Sequence, residues 1–457
     1  MSAPPLVVID VVGLTPSLLG PHTPRLNALV KDGFMATLDG VIPAVTCTAQ
    51  SSMLTGLLPR GHGIVANGWY FRDLAEVWLW RQSNQLVEGE KLWETARRRR
   101  PGLRCAKMFW WYNMYSSADI SVTPRPIYPA DGRKLPGLYS HPAGLHLELE
   151  ARFGPFPLFQ FWGPAADIRS TDWIARASAH VIETEAPDLT LVYLPHLDYN
   201  LQRLGPRDPR IVADVADVDR AAGLVIDAAR GRGARVVVVS EYGIEPAHGP
   251  VHVNRILREL GCIEVRETLG WELLDPGASR AFAVADHQIA HVYVNDRAAL
   301  PQVAERLRHE PGIDLVLDEA GKRELGLDHP RSGELVAIAA PGHWFTYYYW
   351  MDDACAPDFA RTVDIHRKPG YDPVELFLDP DRPLIQGRVA FTLIKKMLGF
   401  RYLMDVIPLR AELVKGTHGR LPSRPEEGPL LISSNPRGAV DRMPMTGVRD
   451  FLLQELA

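Results

Sequence analysis

Residues 234–243 read ARVVVVSEYG, and the run of four valines makes this the clearest predicted strand in the chain. A continuous apolar run that is flanked by helical patterns indicates a strand buried on both faces, as in a parallel sheet. The stretches LVVIDVVGL (6–14) and DLTLVYLPHLD (188–198) have the same character. Amphipathic patterns at 23–33 and 208–233 alternate with these runs and predict helices. We therefore predict an α/β fold with a mostly parallel central sheet sandwiched by helices.

Acidic side chains stand where these apolar runs end, at Asp10, Asp198 and Glu241. The carboxyl ends of parallel strands meet at one edge of a sheet, and this is where α/β proteins place their functional groups. We therefore expect the three carboxylates to lie close together. Carboxylates grouped in this way are able to hold cations.

The composition is that of an ordinary globular protein, with 457 residues, 46% of them hydrophobic and 23% charged. The formal net charge is -5, which indicates no broad basic surface, so we expect no nucleic-acid polymer among the partners. No apolar run has bilayer-spanning length and the first residues do not resemble a signal peptide, so we expect no membrane partner. The four cysteines are far apart and form no CxxC pair, which favours free thiols and a cytoplasmic location. The sequence does not predict an oligomeric state.

Residues 266–335 differ from the rest of the chain. Proline, glycine and charged residues are frequent there, and the short strand patterns of RAFAVADHQIAHVYV (280–294) precede a helix pattern. We predict an inserted cap subdomain at 266–335 and a core domain formed by 1–265 and 336–457. The stretch 340–377 is aromatic and acidic, and its irregular pattern predicts a long functional loop.

The most specific motif is PAVTCTAQSSMLTGLLPRGHGI at residues 43–64, in which Thr46 precedes a TG-x-x-P-x-x-HGI array. Shorter matches follow in a fixed order along the chain: Asp10 after the first strand, Asp198 ahead of a Gly-Pro, Glu241-Tyr242-Gly243 after a strand, and a late THG at 417–419. In this order the motifs resemble the alkaline phosphatase superfamily. Within it, the chain is similar to the nucleotide pyrophosphatase/phosphodiesterase branch and to its relative phosphonoacetate hydrolase. The resemblance covers most of the chain and is weakest in the predicted cap.

The resemblance implies a hydrolase that acts on phosphorus with two divalent metal ions. A threonine hydroxyl is a poor nucleophile at neutral pH unless a base or a metal activates it, and no histidine adjoins Thr46. Two metals about 4 Å apart can activate such a hydroxyl and stabilise the opposite oxygens of an in-line displacement. The resemblance therefore implies that Thr46 attacks phosphorus and that water hydrolyses the resulting phospho-threonine. Asp10, Thr46, Asp198 and His418 match metal-binding positions of the family.

Several positions depart from the family pattern. Gln202 stands where the family has a histidine, and Glu241-Tyr242 replaces Asp-His. Ala49 replaces an asparagine that helps to hold the phosphate. Two interpretations remain open: a decayed site, or a rewired site in which Glu241 and Gln202 supply oxygen ligands and a further histidine, His366, takes part.

The predicted metal ligands are Asp10, Thr46, Asp198, Gln202, Glu241, His366 and His418. The resemblance implies zinc, whereas the larger share of oxygen donors favours manganese, magnesium or calcium.

Substrate contacts are predicted at Asn67, Trp69 and Tyr70, because the matching stretch lines the leaving-group pocket in the nucleotide branch. Trp69 and Tyr70 fit core packing equally well. His287, in the predicted cap, is a further candidate. Together these residues predict a metal-dependent hydrolase that cleaves a phosphodiester or pyrophosphate bond of a small phosphate-containing substrate through Thr46. Two alternatives remain: a phosphonate hydrolase on the same site, and a catalytically inactive binding protein with a phosphatase fold.

Overall fold

The computed structural model describes residues 3–130 and 133–457. The strands, in chain order, are β1 Leu6–Val11, β2 Phe34–Asp39, β3 Gly68–Phe71, β4 Glu76–Leu79, β5 Cys105–Met108, β6 Ile120–Pro124, β7 Leu138–His141, β8 Leu189–Leu194, β9 Arg235–Val239, β10 Glu245–Pro246, β11 Gly249–Val251, β12 Val265–Thr268, β13 Trp271–Leu274, β14 Ala281–Asp286, β15 Ile289–Val294, β16 Ile313–Leu317, β17 Leu335–Ala339, β18 His343–Phe345, β19 Gly416–Thr417, β20 Leu430–Ser433 and β21 Arg442–Pro444. The α-helices are α1 Pro24–Asp32, α2 Thr46–Thr55, α3 Pro59–His62, α4 Leu92–Arg99, α5 Leu145–Phe153, α6 Leu158–Phe161, α7 Ile168–Thr184, α8 His196–Leu204, α9 Ile211–Gly231, α10 Val253–Glu259, α11 Leu300–Arg308, α12 Glu319–Leu325, α13 Ile385–Met397 and α14 Val448–Glu455.

The largest sheet of the described chain has nine strands in the order β21-β2-β20-β9-β1-β8-β5-β6-β7. Its central strands, from β9 through β1, β8 and β5 to β6, run parallel to one another. Strand β20 joins this block antiparallel between β9 and β2, and β7 closes the other edge antiparallel to β6. The predicted α/β fold with a mostly parallel central sheet is confirmed.

Helices cover both faces of this sheet because each central strand is apolar on both sides. Val7 and Ile9 of β1 pack into the layer formed by α1, α7 and α9. Leu6 and Val8 point the other way and pack with residues of α2, α4 and α14. This alternation is the period of two expected for a buried strand.

The register of the central strands decides where the polar residues after them come to lie. Asp10, near the end of β1, is level with Tyr193 of β8 and Val239 of β9. The chain segments that leave β8 and β9 therefore start at the same edge of the sheet as Asp10.

A second sheet, in the order β14-β15-β17-β16, is built from residues 281–339. It is antiparallel throughout, and its first hairpin turns at His287 and Gln288. The sheet begins inside the predicted cap at 266–335 and ends four residues beyond it, at Ala339. The division of the chain into a core and a cap remains a prediction.

The stretch 340–377 is largely irregular apart from β18 and short 3-10 turns. Its aromatic residues do not line an open loop, because Tyr347, Tyr348, Tyr349 and Trp350 are buried in the largest hydrophobic core. Across residues 3–130 and 133–457, no helix combines the length and the apolar character needed to cross a bilayer.

Candidate active site

The three predicted carboxylates meet at the carboxyl edge of the central strands. Asp10 is the last residue but one of β1, Glu241 follows β9 by two residues, and Asp198 is in the first turn of α8, just after β8. Asp10 and Glu241 are completely buried. The local reason is similar in each case, since an apolar strand ends and a carboxylate at or just after its end is held at the sheet edge.

Thr46 is the first residue of α2 and is buried beside these acids. The residue before it, Val45, has no side chain that could cap the helix, so the N-terminal amides depend on other partners. One of them, the Cys47 amide, donates to Asn67 Oδ1 at 3.0 Å. Asn67 is itself held by Asp286, which accepts from the Asn67 amide at 2.8 Å and from its Nδ2 at 3.1 Å. The predicted substrate contact Asn67 therefore lies at the start of α2 and is held by Asp286 of the second sheet.

The first half of the site, which we call the acidic half, consists of Asp10, Glu241 and Gln50. The Gln50 amide Nε2 donates to Asp10 Oδ2 at 3.0 Å and to Glu241 Oε1 at 2.7 Å. Its carbonyl Oε1 accepts from the Trp111 amide at 2.8 Å, which fixes the orientation of the side chain. Asp10 Oδ1 and Glu241 Oε2 are buried and have no hydrogen-bond partner among the described residues. Each acid thus has one satisfied oxygen and one free oxygen.

The pKa values of this pair reflect its surroundings. Burial raises the pKa of Asp10 well above its usual range, and the charge of Glu241 raises it further. Burial also raises the pKa of Glu241, although its polar neighbours oppose the change, Asp10 most and Thr46 and Gln50 after it. Two adjacent buried carboxylates without a counter-charge favour a shared proton or a bound cation.

The second half, which we call the aromatic half, consists of Asp198, Gln202, Tyr242 and His418. Gln202 Nε2 donates to Asp198 Oδ2 at 2.8 Å, and the Tyr242 hydroxyl donates to Asp198 Oδ1 at 3.4 Å. Both carboxylate oxygens of Asp198 are therefore satisfied by neutral groups. Burial, followed by the charge of Glu241, raises the pKa of Asp198 to about 7.

Tyr242 connects this half to Thr46, the predicted nucleophile. Its hydroxyl lies 3.0 Å from Thr46 Oγ1, and its ring stacks on His418 with centroids 3.6 Å apart and an interplanar angle of 7°. His418 Nδ1 is 2.8 Å from the carbonyl oxygen of Ala44, which can only accept, so Nδ1 carries the proton. Burial lowers the pKa of His418 to about 3, so the ring is neutral. Its Nε2 lies 3.9 Å from Asp198 Oδ1 and has no hydrogen-bond partner in the described chain.

The remaining predicted residues have different positions. His287 is at the site, because its ring stacks on Tyr371 at 3.8 Å and lies 3.6 Å from His418. His366 instead contacts the carbonyl oxygen of Leu79 at 3.4 Å.

Trp69 and Tyr70 are part of the hydrophobic core. Trp69 stacks on Phe71, and Tyr70 packs against Phe282 and Tyr293. Their placement favours core packing, and their role as substrate contacts remains a prediction.

A match to a family model shows which protein family the chain belongs to. The family model of type I phosphodiesterase/nucleotide pyrophosphatase matches residues 6–372. The chain belongs to this family. Membership indicates a hydrolase that acts on phosphate esters, and members of the family are metallo-enzymes that use divalent metals. No curated protein matches the chain by sequence.

Solved structures support the fold of this phosphodiesterase family member. Phosphonoacetate hydrolase from Sinorhizobium meliloti 1021, in complex with phosphonoformate, is 15% identical with a TM-score of 0.63, over 100% of this chain and 96% of that one. An inactive murine ectonucleotide pyrophosphatase/phosphodiesterase 5, in complex with AMP, is 14% identical with a TM-score of 0.60, over 99% and 95%. The human protein of the same name is 12% identical with a TM-score of 0.60, over 99% and 94%. Both kinds of protein belong to the alkaline phosphatase superfamily, so the predicted resemblance is confirmed.

In this phosphodiesterase family member, the acidic half and the aromatic half differ in the donor atoms that they offer to a metal ion. No three His, Cys, Asp or Glu side chains within 3–130 and 133–457 are grouped to hold a metal. In the acidic half, Asp10 Oδ1 and Glu241 Oε2 are buried without a hydrogen-bond partner among the described residues, and Glu241 interacts with the Thr46 hydroxyl, so oxygen donors of the kind that a divalent cation prefers are present there. In the aromatic half, Gln202 turns its amide NH₂ towards Asp198, while its carbonyl oxygen accepts from the Tyr371 hydroxyl at 3.1 Å. An amide NH₂ is not a metal ligand, so Gln202 offers no ligand to a second ion in this orientation, and Asp198 with His418 Nε2 is a smaller set than a protein metal site normally has.

Two residues at the candidate site, Gln50 and Tyr371, were not predicted from the sequence. Gln50 is four residues after Thr46 on α2, so helical spacing places both side chains on one face. This spacing could have predicted that Gln50 lies near Thr46. Tyr371 lies far along the chain in an irregular segment, and no local pattern relates it to Gln202.

Proposed function

We propose that the protein hydrolyses a phosphodiester or pyrophosphate bond of a small molecule, with Thr46 as the nucleophile and a phospho-threonine as the intermediate. The observation that carries the proposal is the position of the Thr46 hydroxyl, buried at the start of α2 between Tyr242 and the acids at the sheet edge. The N-terminus of a helix favours an anionic group such as a phosphoryl group.

The hydrogen bonds around Thr46 suggest where its proton goes. Tyr242 donates to Asp198, so its hydroxyl oxygen is free to accept from Thr46 at 3.0 Å. As the bond from Thr46 Oγ1 to phosphorus forms and the bond to the leaving oxygen breaks, the proton of Thr46 passes to the Tyr242 oxygen. The Tyr242 proton passes at the same time to Asp198. A carboxyl group with a pKa of about 7 is suited to accept a proton near neutral pH.

Asp10, Glu241 and Thr46 are the residues that would hold a cation. A divalent cation bound there would supply positive charge that lowers the pKa of the threonine hydroxyl and stabilises the negative charge of the transition state. The donors are all oxygens, which favours magnesium or manganese over the zinc implied by the family. Gln50 holds the two carboxylates in place by donating a hydrogen bond to one oxygen of each.

The substrate proposal is limited to a small phosphate-containing molecule. The murine relative has AMP bound, and the bacterial one has phosphonoformate bound. In this chain Tyr371 packs against the half-buried Trp80 and Trp162, with centroids 6.0 and 5.7 Å away, which favours a substrate with a planar or apolar group. The four cysteines are free, in agreement with the proposed cytoplasmic location.

Trapping the intermediate tests the proposal. The wild-type protein is mixed with bis-p-nitrophenyl phosphate and magnesium or manganese, quenched in acid and digested for mass spectrometry. We expect phosphate plus one p-nitrophenyl group, or phosphate alone, on the peptide that contains Thr46. Thr46→Ala should lose both the modification and the release of p-nitrophenol, whereas Thr46→Ser, which keeps the hydroxyl, should retain part of both. Equal hydrolysis by wild type and Thr46→Ala would overturn the proposal.

A second candidate is a binding protein without hydrolytic activity, and the aromatic half favours it because both oxygens of Asp198 are already satisfied. The same experiment separates the candidates. A non-hydrolysing protein would bind p-nitrophenyl phosphate with and without Thr46 and would release no p-nitrophenol with any divalent metal. Phosphonoacetate in the substrate panel tests the carbon–phosphorus alternative.

A further inference from the structure

Helix α13 and the turn after it carry an unusual concentration of exposed apolar side chains. Of the twenty-two large apolar side chains that are exposed in the described part of the chain, eight lie between residues 384 and 403. They are Leu384, Phe391, Leu393, Ile394, Met397, Leu398, Phe400 and Leu403. Single exposed apolar residues are normal, but a contiguous group of this size marks an interaction surface. We call residues 384–403 the apolar surface segment.

The helix is apolar on two opposite faces. Ile385 and Val389 pack against the largest core, and Thr392 is buried on the same side. Phe391, Ile394 and Met397 are 58%, 52% and 85% exposed, and their spacing of three residues puts them together on the outer side. Since the inner face already secures the helix to the protein, the outer face is left for a partner.

The charges of the segment have one sign. Residues 383–404 contain Arg388, Lys395, Lys396 and Arg401 and no acidic residue, although the whole chain has a net charge of -5. Arg388 pairs with Asp405 at 2.5 Å. Lys395, Lys396 and Arg401 form no ion pair with any residue that the structure describes. Lys395 Nζ lies 4.9 Å from the ring centre of Phe391, so cation and apolar ring are side by side.

We propose that the apolar surface segment docks on an anionic lipid surface. A helix with an apolar outer face bordered by lysine and arginine lies in the membrane interface, where the apolar groups enter the acyl region and the cations meet anionic headgroups. A symmetric pair of copies of this chain would pair the segment with itself and bring its unpaired cations together. The lipid surface therefore satisfies both the apolar and the charged groups of the segment, and a second copy satisfies only the apolar ones.

The docking is peripheral and does not depend on the proposed hydrolysis. It revises the expectation of no membrane partner, which rested on the lack of a spanning segment. The apolar surface segment is also close to the candidate site, since Lys396 Nζ lies 5.4 Å from the ring of Phe159 in α6, and Trp162, just after α6, packs on Tyr371.

Vesicle flotation of the full-length protein tests the proposal. Vesicles of phosphatidylcholine alone are compared with vesicles of equal parts phosphatidylcholine and phosphatidylglycerol. The surface variant combines Phe391→Ser, Ile394→Ser and Met397→Ser. The matched control combines Leu74→Ser, Leu147→Ser and Leu269→Ser, which are 61%, 63% and 85% exposed elsewhere on the protein. Circular dichroism and thermal unfolding are used to check that both variants are folded.

We expect the wild type and the control to float with the anionic vesicles and the surface variant to bind them at least about tenfold more weakly. Lys395→Gln with Arg401→Gln should reduce binding and its dependence on salt. Three results would overturn the proposal: no binding to anionic vesicles, equal loss in the control, or light scattering that shows a dimer which the surface variant converts to monomers.

Discussion

The acidic half and the aromatic half of the candidate site differ in how the oxygens of their carboxylates are hydrogen-bonded. Each places a buried carboxylate at the edge of the central sheet. In the acidic half, Asp10 and Glu241 keep one free oxygen each, so the site is incomplete without a proton or a cation. In the aromatic half, Gln202 and Tyr242 satisfy Asp198 with neutral groups. The replacement of family histidines by Gln202 and Tyr242 thus falls in the aromatic half, whereas the acidic half keeps carboxylate oxygens that have no hydrogen-bond partner in the described chain.

The largest expected effect is that of Glu241→Gln. It removes one of the two free carboxylate oxygens and the negative charge that a cation needs, so we expect hydrolysis to fall by about 10³-fold or more. Magnesium or manganese should raise the unfolding temperature of the wild type and should no longer do so in the variant. Differential scanning calorimetry with and without each metal, together with the rate on bis-p-nitrophenyl phosphate, gives both readouts.

Asp219→Asn is the matched control for this variant, because Asp219 is also buried but bonds to the amides of Arg25 and Leu26, at the start of α1. It should lower stability and leave the metal-dependent increase intact. If Glu241→Gln keeps that increase, the acidic half is not the cation site, and the comparison between the halves fails.

A smaller effect is expected for Tyr242→Phe, which removes the hydroxyl between Thr46 and Asp198 and keeps the ring on His418. We expect a loss of about 10²-fold in rate. The wild-type rate should rise with pH through about 7, because Asp198 accepts a proton only when it is unprotonated. In the variant this rise should disappear. A rise near pH 7 that persists in Tyr242→Phe would assign it to another group.

The histidines that the family has at positions 202 and 242 can be restored in the aromatic half. The double variant Gln202→His and Tyr242→His puts two imidazoles beside Asp198 and His418, whose Nε2 already lacks a hydrogen-bond partner in the described chain. Two further nitrogen donors complete a set that suits zinc. Metal analysis after dialysis should then give a second bound ion per chain in the variant and a single ion in the wild type. A single bound ion per chain in both proteins would show that the two histidines alone do not give the aromatic half a metal site.

The sequence predicted most residues of both halves, among them Asp10 and Glu241 in the acidic half and Asp198, Gln202 and His418 in the aromatic half, but few of the contacts between them. Asp10 and Glu241 were predictable because strand ends follow directly from apolar runs, and Thr46 because its motif is local. The Gln202–Asp198 contact is local, but other contacts of the aromatic half join residues far apart in sequence, such as Tyr371 and Gln202, which are 169 positions apart. Such contacts depend on how the irregular segment 340–377 packs, and no periodicity encodes that. For the same reason, the contact of His366 with the Leu79 carbonyl was not foreseen.

The smallest expected effect concerns Asp286, another buried carboxylate, both oxygens of which accept hydrogen bonds from Asn67, so that it needs no cation. Burial raises its pKa to about 7. Between pH about 4 and pH about 7 the folded state keeps a proton that the unfolded state releases, so the free energy of unfolding falls as the pH rises, by up to about 1.4 kcal/mol per pH unit. Urea unfolding across this range should show a shallower slope in Asp286→Asn than in the wild type. Added magnesium should leave the difference between the two slopes unchanged, because the carboxylate of Asp286 bonds to Asn67 and not to the acids of the acidic half. A difference that magnesium abolishes would mean that Asp286 is electrostatically part of the cation site after all.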